Sequence, residues 1–440
     1  MAKIFQRKIE KTIRENLEDP EAPILLIQGA RQVGKSYIIR RVASGRFRHF
    51  VEINMIADKA GNRVFANINN IKDLYFAIQS VARVPLGTAE DTVIFLDEIQ
   101  EYGHLFTLLK FLREDHRYRF IASGSLLGVS LRKTSSIPIG SISIADMFPM
   151  DFEEFLWAKG MQQEFTEEIK NKLRCRESLP EGVHRKIMDD FRDYLIAGGL
   201  PYCVDLFLST MDIVKVRNAQ LEIHSLYGDD ATKYDVENKM HTKQIFDLIP
   251  SNIENKRKRV FAKDIEGKPQ ARFEQYKDDF DDLVSSGVAL MVTCCTDPRF
   301  RLLESAKRNM LKLYMADVGI LTALLYRYNV KPLREDMPQI NLGNVYECVT
   351  AMQLRSNGRE LYYYDKKAVG EVDFLVDDYD NLTVIPIEVK SGKDHHRHNA
   401  LDKYMGTDGS PETAVVLSND GRVHMEGKIL YMPIYALMVL

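Results

Sequence analysis

The sequence predicts an α/β protein of more than one domain, and three observations carry that expectation. Short apolar runs alternate with longer mixed segments from residue 24 to about 145. A glycine-bearing loop follows the first of those runs directly. The end of the chain shows a second group of strand patterns, introduced by a helix of its own. At 440 residues the chain is also too long for one ordinary core.

In the first segment, residues 1–150, the runs "ILLIQ" (24–28), "HFVEIN" (49–54), "TVIFLDE" (92–98) and "RFIASGS" (119–125) read as buried strands with helical patterns between them. Strand, crossover, strand is the order of a parallel sheet covered on both faces. From "DFEEFLWAKG" at 151–160 to residue 245 the period becomes helical, broken by "AGGLP" at 197–201, which predicts a helical lid or subdomain over 151–245. Residues 246–335 hold a helix, a Ser-Ser-Gly stop and a strand in "QYKDDFDDLVSSGVALMVTCC", then a strand running into a helix in "MLKLYMADVGILTALL". Helices followed by a short hairpin at this size predict a small winged-helix-like module. Residues 336–440 open with the helix "LGNVYECVTAMQLRS" and continue with "ELYYYDK", "EVDFLVDD", "TVIPIEVKSG", "TAVVLS" and "KILYMPIYAL", a compact α/β unit.

Composition narrows the class without naming a function. With 45% hydrophobic and 28% charged residues the chain reads as globular, and a net charge of −3 announces neither nucleic acid nor an anionic membrane. Cys175, Cys203, Cys294, Cys295 and Cys348 form no CxxC pair, which suits a reducing compartment and argues against structural zinc. The amphipathic start "MAKIFQRKIEKTIREN" lacks the apolar core of a signal peptide, and no stretch approaches the roughly 20 apolar residues of a membrane span. The expected location is the cytoplasm, away from membranes.

"GARQVGKS", residues 29–36, matches GxxxxGK[ST] at Gly29, Gly34, Lys35 and Ser36, immediately after an apolar strand. Such a loop, here including Ala30, Arg31, Gln32 and Val33, curls its backbone N–H groups around phosphate oxygens at the positive end of the helix that follows. Lys35 would reach the β- and γ-phosphates, and Ser36 would give an oxygen to Mg²⁺. In "VIFLDEIQ" (93–100) the strand ends in Asp97, placed to hold Mg²⁺ through water, and Glu98, placed to polarise the attacking water. In "FIASGS" (120–125) Ser123 and Ser125 are candidates for a polar sensor of the γ-phosphate, against the alternative of a plain Ser/Gly turn. Spacing selects no transition-state arginine among Arg31, Arg113, Arg117, Arg119 and Arg132.

The last segment carries a second chemical pattern. "EVDF" places Asp373 in one strand, and "IPIEVKSG" places Glu388 and Lys390 on the same face of the next. Glu347 lies on the preceding helix. If the strands pair as neighbours, Glu347, Asp373 and Glu388 would hold Mg²⁺ and Lys390 would activate water for phosphodiester hydrolysis. The alternative is a sheet face of alternating charge. His395, His396 and His398 in "DHHRHN" read as a polar loop ahead of a metal cluster.

In "GARQVGKS", "VIFLDEIQ", "IASGSLLG", "FPMDFEEFL", "YLIAGGLP", "KLYMADVGIL", "GNVYE", "EVDFLV" and "IEVKSG", taken in this order, the chain resembles a family of prokaryotic AAA-type ATPases. In that family the ATPase domain is followed by a C-terminal domain of unknown function. The resemblance implies a P-loop AAA-type domain using ATP and Mg²⁺, and a C-terminal part that looks like the PD-(D/E)XK nuclease fold. The acidic and lysine positions of that fold map onto Asp373, Glu388 and Lys390, with Glu347 as the helix acid. Similar chains often carry a basic residue where this one has Ser141 in "IPIGSIS", which removes any basic role there. The resemblance brings no substrate with it; the first expectation is an ATPase coupled to a nuclease-like domain that acts on or binds DNA or RNA. The competing expectation is a nucleotide-dependent switch, or a remodelling ATPase working as a homo-oligomer, whose last domain only binds a nucleic-acid or protein partner.

Overall fold

The computed structural model describes residues 5–125, 140–231, 239–255, 258–335, 337, 340–392, 395–407 and 409–440. The chain divides into two compact units, one formed by 6–148 with 285–287, the other by 1–5, 149–284 and 288–440.

In the first unit, helix α1 (Ile9–Glu18) buries Ile13 and Leu17, one face of an amphipathic turn pattern. Five strands follow: β1 (Ile24–Gln28), β2 (His49–Asn54), β3 (Thr92–Asp97), β4 (Arg119–Gly124) and β5 (Ile142–Asp146). They form one parallel sheet in the order β2-β3-β4-β1-β5. The four strands expected from sequence are present, and β5 is additional. Its segment "ISIAD" is half-exposed at the sheet edge, so it lacks the continuous apolar run that marks a strand covered on both faces. By contrast β3 is buried along its whole length between β2 and β4. Ile94 and Leu96 pack in one cluster with Phe65, Ile78, Phe106 and Leu109. Each such side chain contributes about 1.5–3 kcal/mol of burial. Because all five strands run the same way, Gln28, Asn54, Asp97 and Gly124 end at one edge of the sheet, where the loop after β1 enters helix α2 (Lys35–Arg46).

The second unit begins with helices at Phe152–Ala158, Gln163–Arg174, Glu181–Ala197, Pro201–Thr210, Ile213–Ala231 and Lys239–Glu254, as the helical period between 151 and 245 predicts. The strings that carried the resemblance interlock here. Asp151 caps its helix by accepting from Glu154 N at 2.9 Å, and Glu154 accepts from Asp151 N at 3.2 Å. Met150 N donates to Gly199 O at 2.6 Å, and a Cβ on Gly199 would lie 2.1 Å from Met150 O, so only glycine fits. Gly199 N in turn donates to Asp317 Oδ2 at 2.7 Å, and Asp317 caps the helix Val318–Tyr326 through Ile320 N. "FPMDFEEFL", "YLIAGGLP" and "KLYMADVGIL" thus hold one another together, a structural role.

The expected winged-helix-like module at 246–335 does not form a body of its own. Its strands β6 (Ala289–Cys295) and β7 (Ala306–Met315) are one edge of an eight-stranded sheet that continues through β8 (Tyr362–Lys366), β9 (Gly370–Asp378), β10 (Thr383–Val389), β11 (Ala414–Ser418), β12 (His424–Glu426) and β13 (Ile429–Pro433). The order is β12-β13-β11-β10-β9-β8-β6-β7. The physical reason is that β6 is apolar on both faces, and a short hairpin cannot bury it; pairing parallel to β8 and antiparallel to β7 does. The boundary at 335/336 therefore runs through a single sheet. Helix α3 (Gly343–Ser356) packs on that sheet with Val345, Cys348 and Ala351 buried.

Candidate nucleotide site and the buried lysine-carboxylate cluster

The loop between β1 and α2 has the backbone that a phosphate cradle requires. Gly29 has φ +155°, and a Cβ there would sit 2.1 Å from Met147 O, because Met147 N donates to Gln28 O at 2.7 Å as β5 ends. Gly34, ahead of α2, is left-handed at φ +97°. Lys35 is buried, and its Nζ donates to Gly29 O and Ala30 O, both at 2.9 Å. Burial pushes this ammonium down to about 8, opposed by the Glu98 and Asp97 carboxylates.

Asp97 ends β3 at the same edge. Its Oδ1 accepts from Ser36 Oγ at 2.9 Å and from Ser123 Oγ at 2.5 Å, and its Oδ2 accepts from Asn54 Nδ2 at 3.1 Å. Burial raises this carboxyl, while the two serine hydroxyls act to lower it. Glu98 adopts a left-handed backbone, φ +56°, and its Oε2 accepts from Gln100 Nε2 at 2.5 Å, Ser125 N at 3.0 Å and Ser125 Oγ at 2.8 Å. Burial works to raise Glu98, and Lys35 with these donors overrides it to leave the carboxyl below its usual range. The structure therefore brings together Lys35, Ser36, Asp97, Glu98, Ser123 and Ser125. A hydroxyl beside a carboxylate is the hard-oxygen donor set that suits Mg²⁺.

Asn54 and Gln100 are members of this site that motif reading missed. The signal for Asn54 was present: it ends β2 directly opposite Asp97 in the parallel register. Arg113, Arg117 and Arg119 are engaged elsewhere: Arg113 Nη2 donates to Glu21 O, Arg119 to carbonyls of Asn16, Asp19 and Pro20, and Arg117 lies over the Tyr75 ring. Arg119 starts β4, whereas Ser123 lies near its other end. Arg132 lies outside the described residues.

In the second unit β9 and β10 pair antiparallel with Ile387 opposite Phe374, the neighbour relation expected for Asp373 and Glu388. Asp373 Oδ2 accepts from Val389 N at 2.9 Å, and Lys390 Nζ donates to Glu388 Oε1 at 2.7 Å. Both acids are buried. Glu347 on α3 takes a different partner from the one expected: it pairs with Lys258 Nζ and accepts from Tyr314 OH at 2.7 Å. Burial acts to raise Glu347, and the Lys258 and Lys312 charges overcome it and hold the carboxyl low. Buried Lys312 reaches Glu371 at 2.6 Å and lies 4.5 Å from the Tyr363 ring centre. Asp373, left without a lysine of its own, is raised well above the carboxylate range by burial and by Glu388 and Glu347.

In this structure the partners of Glu347, Asp373 and Glu388 are protein groups. Among the described residues no three His, Cys, Asp or Glu side chains are disposed to share a cation. Lys258, Lys312 and Lys390 pair with Glu347, Glu371 and Glu388. Glu388 Oε2 is the one oxygen of these three acids left buried without a hydrogen-bond partner. His398 Nε2 meets Tyr431 OH at 2.6 Å, and His424 stacks on the Tyr431 ring at 4.8 Å.

The AAA domain family matches residues 21–156. A domain of unknown function (DUF8612) matches 188–331, across the boundary expected at 245, and a second (DUF4143) matches 342–437. No curated protein matches the chain. Among solved structures it is similar to the Walker-type ATPase PABY2304 of Pyrococcus abyssi, at 15% identity over 73% of this chain and 96% of that one, with a TM-score of 0.43. Cdc6p of Pyrobaculum aerophilum is 11% identical over 76% and 96%, TM-score 0.26. The Thermotoga maritima RuvB Holliday junction branch migration motor is 12% identical over 65% and 89%, TM-score 0.28. No helix among the described residues is long and apolar enough to cross a membrane. Residues 21–156 thus match the AAA domain family, and the residues after them match two domains of unknown function.

Proposed function

We propose that the first unit binds ATP through residues 29–36 and hydrolyses it with Mg²⁺. The observation that supports this best is Asp97, held at one oxygen by Ser36 from the loop helix and by Ser123 from the neighbouring strand. In this reading Lys35 leaves its two carbonyls for the β- and γ-phosphates, and Ser36 and Asp97 hold the cation. Mg²⁺ held there would neutralise charge developing on the transferred phosphoryl group. Glu98 orients and deprotonates the attacking water, and Ser123 or Ser125 reports the γ-phosphate to Asp97 or Glu98. The transition-state arginine is proposed to come from a neighbouring copy in a homo-oligomer. Phosphate release measured with Mg²⁺ and again after chelation tests the reading: turnover is expected only with the metal, and equal rates in both would overturn it.

The last domain is proposed to bind its partner, DNA, RNA or a protein, without cutting it. Its helix acid, strand acid and Glu-Val-Lys triplet lie in the nuclease-like order, yet Glu347 and Glu388, two of the three acids that cleavage would use, are each paired with a lysine. Incubation with single- and double-stranded DNA and RNA, in Mg²⁺ or Mn²⁺ and with or without ATP, is expected to give no cleavage. Cleavage lost in both Glu388→Ala and Lys390→Ala would replace this reading with an ATP-coupled nuclease.

A further inference from the structure

Arg7 precedes α1, far in sequence from any motif, and is buried in the first unit. Its Nη1 donates to Val33 O at 2.8 Å and its Nη2 to Phe148 O at 2.7 Å. These carbonyls belong to the two limbs that close on the phosphate loop. Val33 is the residue before Gly34, and Phe148 follows Met147, whose carbonyl abuts Gly29. One planar guanidinium therefore spans the far end of the loop and the strand exit that packs on its near end. Two forked N–H groups suit that task, and a single ammonium does not. Arg7 is itself fastened: its backbone N donates to Glu10 Oε1 at 2.7 Å, and Glu10 pairs with Arg41 on α2.

The bond to Val33 has a consequence for the ligand. In a trans peptide the carbonyl and the following N–H point in opposite directions. With the Val33 carbonyl turned to Arg7, the Gly34 N–H is turned away from Arg7. Left-handed Gly34 is free to rotate that peptide, and Arg7 stops the rotation. A buried cation behind the loop also adds to the positive potential at the helix start.

Resting on the ATP reading, we propose that Arg7 is a positioning residue that presets the phosphate loop for the nucleotide's phosphates before they arrive. It touches neither phosphate nor water and acts on ground state and transition state alike. Its loss should therefore appear in affinity rather than in the chemical step.

The test measures the Kd for MgADP by calorimetry, and kcat and KM for ATP, on the full chain and on Arg7→Met and Arg7→Lys. Arg7→Met is expected to raise Kd and KM together by about tenfold, the scale of one charge-assisted hydrogen bond, with kcat within about threefold of the natural chain. Arg7→Lys keeps the charge but not the fork, and is expected to fall between the two. A folded Arg7→Met that binds MgADP as tightly as the natural chain, or one that loses kcat at unchanged Kd, overturns the proposal. Should Arg7→Met fail to fold, Arg7→Lys decides: a Kd raised a few-fold supports the preset loop, and an unchanged Kd ends it. A natural chain that binds no MgADP would instead end the ATP reading, and this inference with it.

Discussion

Glu98→Gln is expected to lower ATP turnover by about a hundred- to ten-thousand-fold, the range of a lost general base, while nucleotide binding persists. The substitution keeps the shape of a side chain whose Oε2 accepts from Gln100 Nε2 and from Ser125 N and Oγ. Only the charge and the capacity to take a proton disappear. Lys35 and its neighbours hold Glu98 below the usual carboxylate range, so at neutral pH it is ionised and competent as a base. The left-handed backbone at Glu98, φ +56°, turns the side chain away from the strand direction set by Asp97, which is why adjacent acids take separate partners. Phosphate release and MgADP affinity measured on the same preparation check this. Turnover that survives at the natural rate would remove Glu98 from the chemistry.

Lys35→Ala is expected to cost about a hundred- to a thousand-fold or more in turnover, with nucleotide affinity falling as well. Its ammonium already bridges the Gly29 and Ala30 carbonyls within the loop, so it is placed to follow the phosphates with little movement. Truncation removes that charge while Gly29, Gly34 and the sheet edge remain. Lys35 begins α2 and is not part of the apolar cluster on the sheet, so the fold is expected to survive. Unchanged far-ultraviolet circular dichroism with turnover lost is the expected pair of readings. Turnover that persists would sink the nucleotide assignment.

The grouping of Lys35, Ser36, Asp97 and Glu98 was legible in the sequence because it is set locally. "GARQVGKS" and "VIFLDEIQ" each place their functional atoms by one strand end, and parallel strands bring those ends to one edge without further information. Ser123 follows the same logic, and so does Asn54, a polar residue that ends β2 opposite Asp97. Arg7 does not. Its partners are carbonyls at positions 33 and 148, and no side-chain type or spacing marks a carbonyl acceptor.

The second unit was legible element by element and misread in assembly. Helix and strand patterns at 275–295 and 310–325 are present as expected, yet periodicity says nothing about which sheet a strand joins, and β6 joins β8 across the residues that separate them in sequence. The same long-range pairing brings in Lys312 from β7, and Lys258 from the segment before β6, as counter-charges to acids on α3 and β9. The order Glu347, Asp373, Glu388, Lys390 looked complete because the lysines that complete the charge balance lie outside it.

The most direct test of the central claim is bound-nucleotide analysis of the full chain, of Lys35→Ala and of Glu98→Gln after incubation with MgATP. The natural chain is expected to yield ADP and free phosphate, Glu98→Gln to retain ATP, and Lys35→Ala to carry little of either. Equal phosphate release by all three, or no nucleotide held by the natural chain, would contradict the assignment of the first unit as the ATP-hydrolysing machine.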